Sequence, residues 1–244
     1  MQVIVNGALG RMGTVLRSLL EREGQPAVLA AGADHRSADG GIFRSLQEIS
    51  APADCIIDFS HHAATGELLN FALEHRLPTV IATTGQNGEE LAAIRQASQR
   101  IPIFLAGNLS LGIALLLQTV QRAVRIFPDA DVEIVERHHN RKLDVPSGTA
   151  LMLAYAVQAV RPDAGILVGR REDGARLPGE IAIHSLRMGN TVATHEVLIS
   201  TGTQVISLKQ EVLDRTLFAE GALAAAEFLL GQPPGLYTME DLAV

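Results

Sequence analysis

The sequence has no tryptophan, a single cysteine and aromatic residues at only 4%. Stacking platforms are therefore scarce, and no run of Lys or Arg forms a basic stripe in a chain of net charge −7. Nucleic acid is not an expected partner. The lone thiol, Cys55, cannot close an intramolecular disulfide, and its place in Cys55-Ile56-Ile57 predicts a small buried hydrophobe. No apolar stretch approaches the ~20 residues of a membrane span. The longest candidate, Leu111 to Val124, is broken by Gln118, Gln121 and Arg122. The amino terminus runs straight into a strand pattern, Val3-Ile4-Val5, without a basic segment or cleavage signal. A soluble cytoplasmic protein without a membrane partner is expected.

What is present is ordinary globular material. The 244 residues are 47% hydrophobic, enough for one large domain or two modest ones. The first half alternates short apolar strands with helices. Strands are expected at Val3–Val5, Val28–Ala33, Cys55–Phe59, Thr79–Ala82 and Ile101–Ala106. Helices are expected over Thr14–Glu23, from an N-cap at Ser60 toward His75, over Glu89–Arg100 and over Leu111–Ile126. Strands apolar throughout, separated by helices, predict a Rossmann-like doubly wound parallel sheet in the α/β class. After Pro128 the texture changes. A strand over Asp131–Val135, a helix over Gly148–Val160 and strands over Glu180–Leu186, Thr191–Ser200 and Thr203–Gln210 follow. Gly189-Asn190 and Thr201-Gly202 between the last three are hairpin signals. A second α+β domain with a mixed or antiparallel sheet is expected, closed by a helix over Arg215–Leu230 and a loop from Gly231 to Gly235.

Gly7-Ala8-Leu9-Gly10-Arg11-Met12-Gly13 lies between the first strand and the first helix. Glycines there bring backbone N–H groups and a helix N-terminus to a pyrophosphate. The spacing is a variant of the commoner G-x-G-x-x-G, but its context is right. Asp34 follows the second strand 21 positions beyond Gly13, near the ~20 at which an acid meets the adenosine ribose. Asp34 favours NAD, whereas Arg36 and Arg11 could neutralise a 2′-phosphate, so use of both NADH and NADPH is the working hypothesis. Two further loops close parallel strands: Ala82-Thr83-Thr84-Gly85 and Ala106-Gly107-Asn108-Leu109-Ser110. Their small and hydroxyl residues suit a nicotinamide, or equally cap the next helices.

Glu136-Arg137-His138-His139-Asn140-Arg141-Lys142-Leu143-Asp144-Val145-Pro146-Ser147-Gly148-Thr149 is the most polar stretch of the chain. It gathers positive charge and then opens a helix with Ser147-Gly148-Thr149, an arrangement suited to a carboxylate. Lys142 could supply a proton and a histidine could exchange one. Adjacent histidines diverge on an extended chain, and no matching Cys or carboxylate cluster accompanies them, so no metal is expected. On this chemistry alone a solvated polar loop stays open.

The run from His138 to Ala150 resembles the hallmark of the dihydrodipicolinate reductase family, H-H-x-x-K-x-D-A-P-S-G-T-A. Supporting matches are the Gly7–Gly13 loop, Asp58-Phe59-Ser60, Thr83-Thr84-Gly85, Asn108 to Gly112, Ser185 to Gly189 with His195-Glu196-Val197, and Gly235 to Met239. Val145 replaces Ala, Ala193 replaces a Gly, and Leu109 stands where an aromatic or Met is common. The resemblance implies NADH- or NADPH-dependent reduction of the dehydration product of 4-hydroxy-tetrahydrodipicolinate, in lysine and diaminopimelate biosynthesis. It implies His138 and Lys142 as catalytic residues, with His139, Gly148 and Thr149 on the substrate, a small cyclic dicarboxylate. It implies Gly7, Ala8, Leu9, Gly10, Arg11, Met12, Asp34, Ala82, Thr83, Thr84, Ala106, Gly107, Asn108 and Leu109 on the cofactor. A homotetramer joined through the second domain's sheet is also implied. The dinucleotide domain is expected over residues 1–110 and 214–244, and the substrate-binding and oligomerisation domain over 111–213. The rivals are another two-domain dehydrogenase, of amino-acid or homoserine type, and a non-catalytic NAD(H) sensor.

Overall fold

The computed structural model describes all residues except Glu23, Gln25, Ser37, Ala38, Asp39, Glu172, Ala243 and Val244. The chain divides into two compact units: Met1–Leu111 with Arg215–Val244, and Gly112–Asp214. Among the described residues no helix is long and apolar enough to cross a membrane.

Unit 1 is built from β1 (Gln2–Asn6), α1 (Arg11–Leu20), β2 (Val28–Ala33), β3 (Ile42–Phe43), β4 (Cys55–Asp58), α2 (Thr65–His75), β5 (Thr79–Ile81), α3 (Gly88–Ala97) and β6 (Pro102–Leu105). The strands form an all-parallel sheet of order β12-β6-β5-β4-β1-β2-β3, where β12 (Gly235–Tyr237) arrives from the far end of the chain. Val3, Val5, Ile56, Ile57, Val80 and Ile103 have no more than trace exposure, as strands covered on both faces require. The chain reverses direction across the sheet between β1 and β4, which places the ligand crevice of such a fold at their carboxyl ends.

Unit 2 begins in α4 (Leu111–Ile126) and continues through β7 (Asp131–His138), α5 (Gly148–Val160), β8 (Gly165–Val168), β9 (Glu180–Arg187), β10 (Ala193–Ser200) and β11 (Val205–Val212). Its sheet has the order β11-β10-β7-β9-β8, with β7/β9 and β8/β9 parallel and β7/β10 and β10/β11 antiparallel. Ile113, Leu116 and Val120 of α4 and Leu153 and Val157 of α5 pack with Val132, Ile134, Ile183 and Val197 of the sheet. The chain then returns to unit 1 through α6 (Thr216–Leu229), β12 and α7 (Met239–Leu242).

Several elements differ from the sequence expectation. α1 starts three residues early, because Gly10 itself is the N-cap; the expected last residue, Glu23, lies outside the described residues. Gly189-Asn190 does not close a hairpin: β7 lies between β9 and β10. Thr201-Gly202 does join paired strands, β10 and β11. Ser60 caps no helix; its hydroxyl donates to Asp58, and His61 takes the Ala63 amide. The strands β3, β8 and β12 are not expected from the sequence.

The most consequential difference is β7. It runs through Glu136, Arg137 and His138, where the sequence pattern breaks at Val135, because it is the central strand and has partners on both sides. Its buried face reads Val132, Ile134, Glu136, His138. An apolar stripe turns polar along one line.

Candidate active site

The polar end of β7 is a buried cluster. Glu136 pairs in register with Ser185 and His195, and His138 with Arg187. Glu136 has no exposure, so its charge must be matched. Nδ1 of His138 donates to it at 2.6 Å, and Nη1 and Nη2 of Arg187 donate at 2.8 Å each. The backbone N–H of Ser147 donates at 3.2 Å. Burial opposes ionisation of Glu136, but the His138 and Arg187 hydrogen bonds outweigh it and hold its pKa down at about 2. Oγ of Ser147 caps α5 by accepting from the Ala150 N–H and lies 3.2 Å from Nε2 of His195. The rings of His138 and His195 meet edge-on with centroids 5.3 Å apart.

His139 and Thr149 are half-buried, and Gly148 is exposed at the first position of α5. A Cβ on Gly148 would meet nothing within 4 Å. The space beside it at the helix N-terminus is open. Nζ of Lys142 lies 2.8 Å from Oδ1 of Asp144, which it holds below the usual carboxylate range. His138, Lys142, Gly148 and Thr149 thus share one end of unit 2.

His195 gives unit 2 an acid sensitivity. Burial, then the neighbouring His138, push its pKa from 6.5 to about 4. Between those values the unfolded chain binds the proton and the folded one does not. Stability is therefore complete above about pH 6.5 and falls on the order of 3 kcal/mol as pH drops to about 4. Urea denaturation at about pH 7 and pH 5 should show His195→Gln losing less stability on acidification than the native protein. Equal losses would remove His195 as the cause.

In unit 1 the glycine loop sits at the end of β1. Gly7 has φ +75°, and a Cβ there would lie 2.6 Å from the Phe59 carbonyl oxygen, so the loops after β1 and β4 touch. The amides of Gly7 and Ala8 donate to the Ala33 carbonyl, that of Gly10 to the Gly7 carbonyl, and that of Leu9 to Asp34. Loop amides 7–10 are thus engaged within the protein. Arg11 and Met12 open α1, where no intrahelical acceptor exists and no side chain caps Gly10. Asp34 is buried, and the Arg36 guanidinium, bonded at 2.8 and 2.7 Å, holds its carboxyl far below the usual range. A cleft of about 240 Å³ over the loop is lined by Gly7, Gly10, Asp34, Arg36 and Arg44, among others.

The other two loops are less open than their composition suggests. Thr83 is buried and its hydroxyl donates to Asp58 at 2.6 Å. Thr84 and Gly107 are exposed and adjacent, with a Cβ on Gly107 falling 3.1 Å from the Thr84 methyl. Ala82 and Ala106 donate their amides to the carbonyls of Asp58 and Ile81. Asn108 accepts from the Ser110 amide. Leu109 is 2% exposed and packs its backbone against Gly221 of α6.

Sequence reasoning assigned no role to Glu136, Arg187, His195 or Asp58. The signal for Glu136 was its spacing of two from His138, which puts both on one strand face.

A glycine loop at the switch point of a parallel sheet, and a buried acid–histidine pair beside a helix N-terminus, define a two-domain, dinucleotide-dependent oxidoreductase. Comparison with known proteins narrows the class. The family model "Dihydrodipicolinate reductase, N-terminus" matches residues 1–109, and "Dihydrodipicolinate reductase, C-terminus" matches 112–243. The 4-hydroxy-tetrahydrodipicolinate reductase of Caldanaerobacter subterraneus subsp. tengcongensis is 42% identical over 99% of this chain and 97% of its own. That of an Exiguobacterium species is 40% identical over 99% and 95%. The dipicolinate-bound dihydrodipicolinate reductase from Paenisporosarcina sp. TG-14 superimposes with TM-score 0.83 at 25% identity, over 99% of this chain and 98% of that one. The chain belongs to the dihydrodipicolinate reductase family.

Proposed function

We propose that this protein is an NADH- and NADPH-dependent reductase of the dehydration product of 4-hydroxy-tetrahydrodipicolinate, acting in lysine and diaminopimelate biosynthesis. Unit 1 binds the dinucleotide, and unit 2 binds the substrate and makes the oligomer contacts. One observation carries the reading: His138 is held by a buried carboxylate that also holds the N-cap of α5. A proton donor and an anion-binding helix terminus are thereby fixed together, which a small dicarboxylate ring acquiring negative charge requires. The Paenisporosarcina relative bound to dipicolinate supports a substrate of that kind.

The bound nicotinamide supplies the hydride. The residues of unit 1 fit such a group: the first turn of α1 offers amides that no side chain caps, and Gly7 and Gly10 line the cleft beside it. Gly7, Ala8, Leu9 and Gly10 shape this loop, while Arg11 and Met12 face the pyrophosphate. Asp34 receives the adenosine ribose. Arg36, half-exposed on Asp34, would meet the 2′-phosphate of NADPH. Ala82, Thr84, Gly107 and Asn108 line the path toward the nicotinamide, with Thr83, Ala106 and Leu109 supporting them from beneath. On unit 2, Nε2 of His138 and Nζ of Lys142 deliver and manage the proton. His139 and the amides of Gly148 and Thr149 hold the two carboxylates. We further place the enzyme in the cytoplasm as a homotetramer joined through the sheet of unit 2, where Glu196, Leu198 and Ser200 of β10 are half-buried.

The test couples the enzyme to the preceding synthase with aspartate semialdehyde and pyruvate, and follows NADH or NADPH absorbance. Both cofactors should be oxidised, with kcat/KM values within about a thousandfold. No oxidation by a protein that still binds cofactor would sink the assignment. A larger ratio would sink dual use alone.

A further inference from the structure

Four donors converge on the two oxygens of Glu136. Oε2 accepts from Nδ1 of His138 at 2.6 Å and Nη1 of Arg187 at 2.8 Å. Oε1 accepts from Nη2 of Arg187 at 2.8 Å and the Ser147 N–H at 3.2 Å. One oxygen therefore holds the ring at the end of β7, the other holds the start of α5, and Arg187 spans both. We propose that Glu136 is the positioning residue of the site, fixing the Nδ1–H tautomer of His138 and the N-terminus of α5 as one rigid assembly. This rests on the roles given above to His138 and α5, and Glu136, with no exposure, acts through them.

Only a carboxylate meets the demand. An ionised acid presents acceptors on both oxygens, whereas an amide presents one acceptor and one donor group. A Gln turned with its oxygen toward Ser147 aims its NH2 at His138. It can then bond only to an unprotonated Nδ1, so the neutral ring carries its proton on Nε2. Turned the other way, it opposes the Ser147 N–H and loosens the α5 cap. With the native carboxylate, the Nδ1 proton is committed to Glu136, and Nε2 is the nitrogen left to gain and lose a proton. His195, edge-on to the ring and bonded to Ser147, closes the third side. Arg187 neutralises the buried charge, so the hold on His138 is by direction as much as by charge.

The experiment is nitrogen NMR of the His138 ring in the free enzyme, with steady-state kinetics alongside. The variants are Glu136→Gln and the pair Glu136→Gln with Arg187→Met. The second removes the guanidinium that the first leaves without its anion, which takes away the main cause of misfolding in the first. The native neutral ring should report Nδ1–H. Both variants should shift it toward Nε2–H, or keep Nδ1–H with the amide turned and the Ser147 bond lost; either way kcat falls at least about tenfold with KM for NADH within about threefold. Persistence of Nδ1–H in either folded variant, with kcat falling only as the folded fraction falls, overturns the proposal. A His138→Gln variant that retains kcat would overturn the role of His138 instead, and the tautomer would still read whether Glu136 holds the ring.

Discussion

His138→Gln is expected to lower kcat by about 10²- to 10⁴-fold, the range a positioned acid or base contributes, with the NADH dissociation constant within about threefold. Lys142→Met should behave alike. The geometry explains why the loss falls on kcat. His138 and Lys142 both lie in unit 2, whereas the glycine loop, Asp34 and Arg36 lie in unit 1. The Lys142 ammonium rests on Asp144, whose side chain is 59% exposed. An ion pair that open to water contributes at most about 1 kcal/mol, so the ammonium can exchange Asp144 for a substrate group at little cost. His138 is different, since its Nδ1 is committed to a buried acid and only the other nitrogen is left to act. Fluorescence titration of NADH beside steady-state kinetics separates the outcomes. Weakened NADH binding with kcat intact would place both residues in the cofactor subsite, and unchanged kcat would remove them from the chemistry.

The parallel sheet was legible because fully buried strands such as Cys55–Asp58 and Thr79–Ile81 are short runs of apolar residues between helical stretches. The helix over Gly148–Val160 was legible because Ser147 and Pro146 mark its start. The polar end of β7 was not. Its strand character comes from ladder partners on β9 and β10, which for Glu136 are Ser185 and His195, 49 and 59 positions away along the chain, so a local pattern ending in Glu136-Arg137-His138 looks like a loop. The order of strands in unit 2 was hidden for the same reason: Gly189-Asn190 has hairpin chemistry, yet β7 occupies the place the hairpin partner would take. The His138–Thr149 stretch announced chemistry through residue type alone. Which nitrogen of His138 is engaged depends on Glu136 and Arg187, and only the three-dimensional register brings those together.

Glycine substitutions in unit 1 provide a test in which one chemical change should act with opposite signs. A Cβ on Gly13 would lie 2.1 Å from the Gly7 carbonyl oxygen and 2.9 Å from the Ala8 Cα. Both are backbone atoms, and the Gly7 and Ala8 amides are tied to Ala33, so no side chain can swing aside. α1 must move off β1, straining contacts of the buried Leu16, Leu19 and Leu20, or the loop must open. Gly13→Ala is expected to cost about 1–3 kcal/mol or more, lowering Tm by roughly 2–4 °C per kcal/mol for a protein of this size. It should also weaken NADH binding, because the displaced helix N-terminus is the proposed pyrophosphate site. Gly66 is the control: it is exposed in the first turn of α2, and an added Cβ there would meet nothing within 4 Å. Gly66→Ala removes only unfolded-state freedom and should stabilise by about 0.4–1 kcal/mol, leaving NADH affinity unchanged. Thermal melts and NADH titrations of both variants decide it. Similar shifts in the two would mean that the contact between α1 and the β1 loop does not set the geometry of the dinucleotide site.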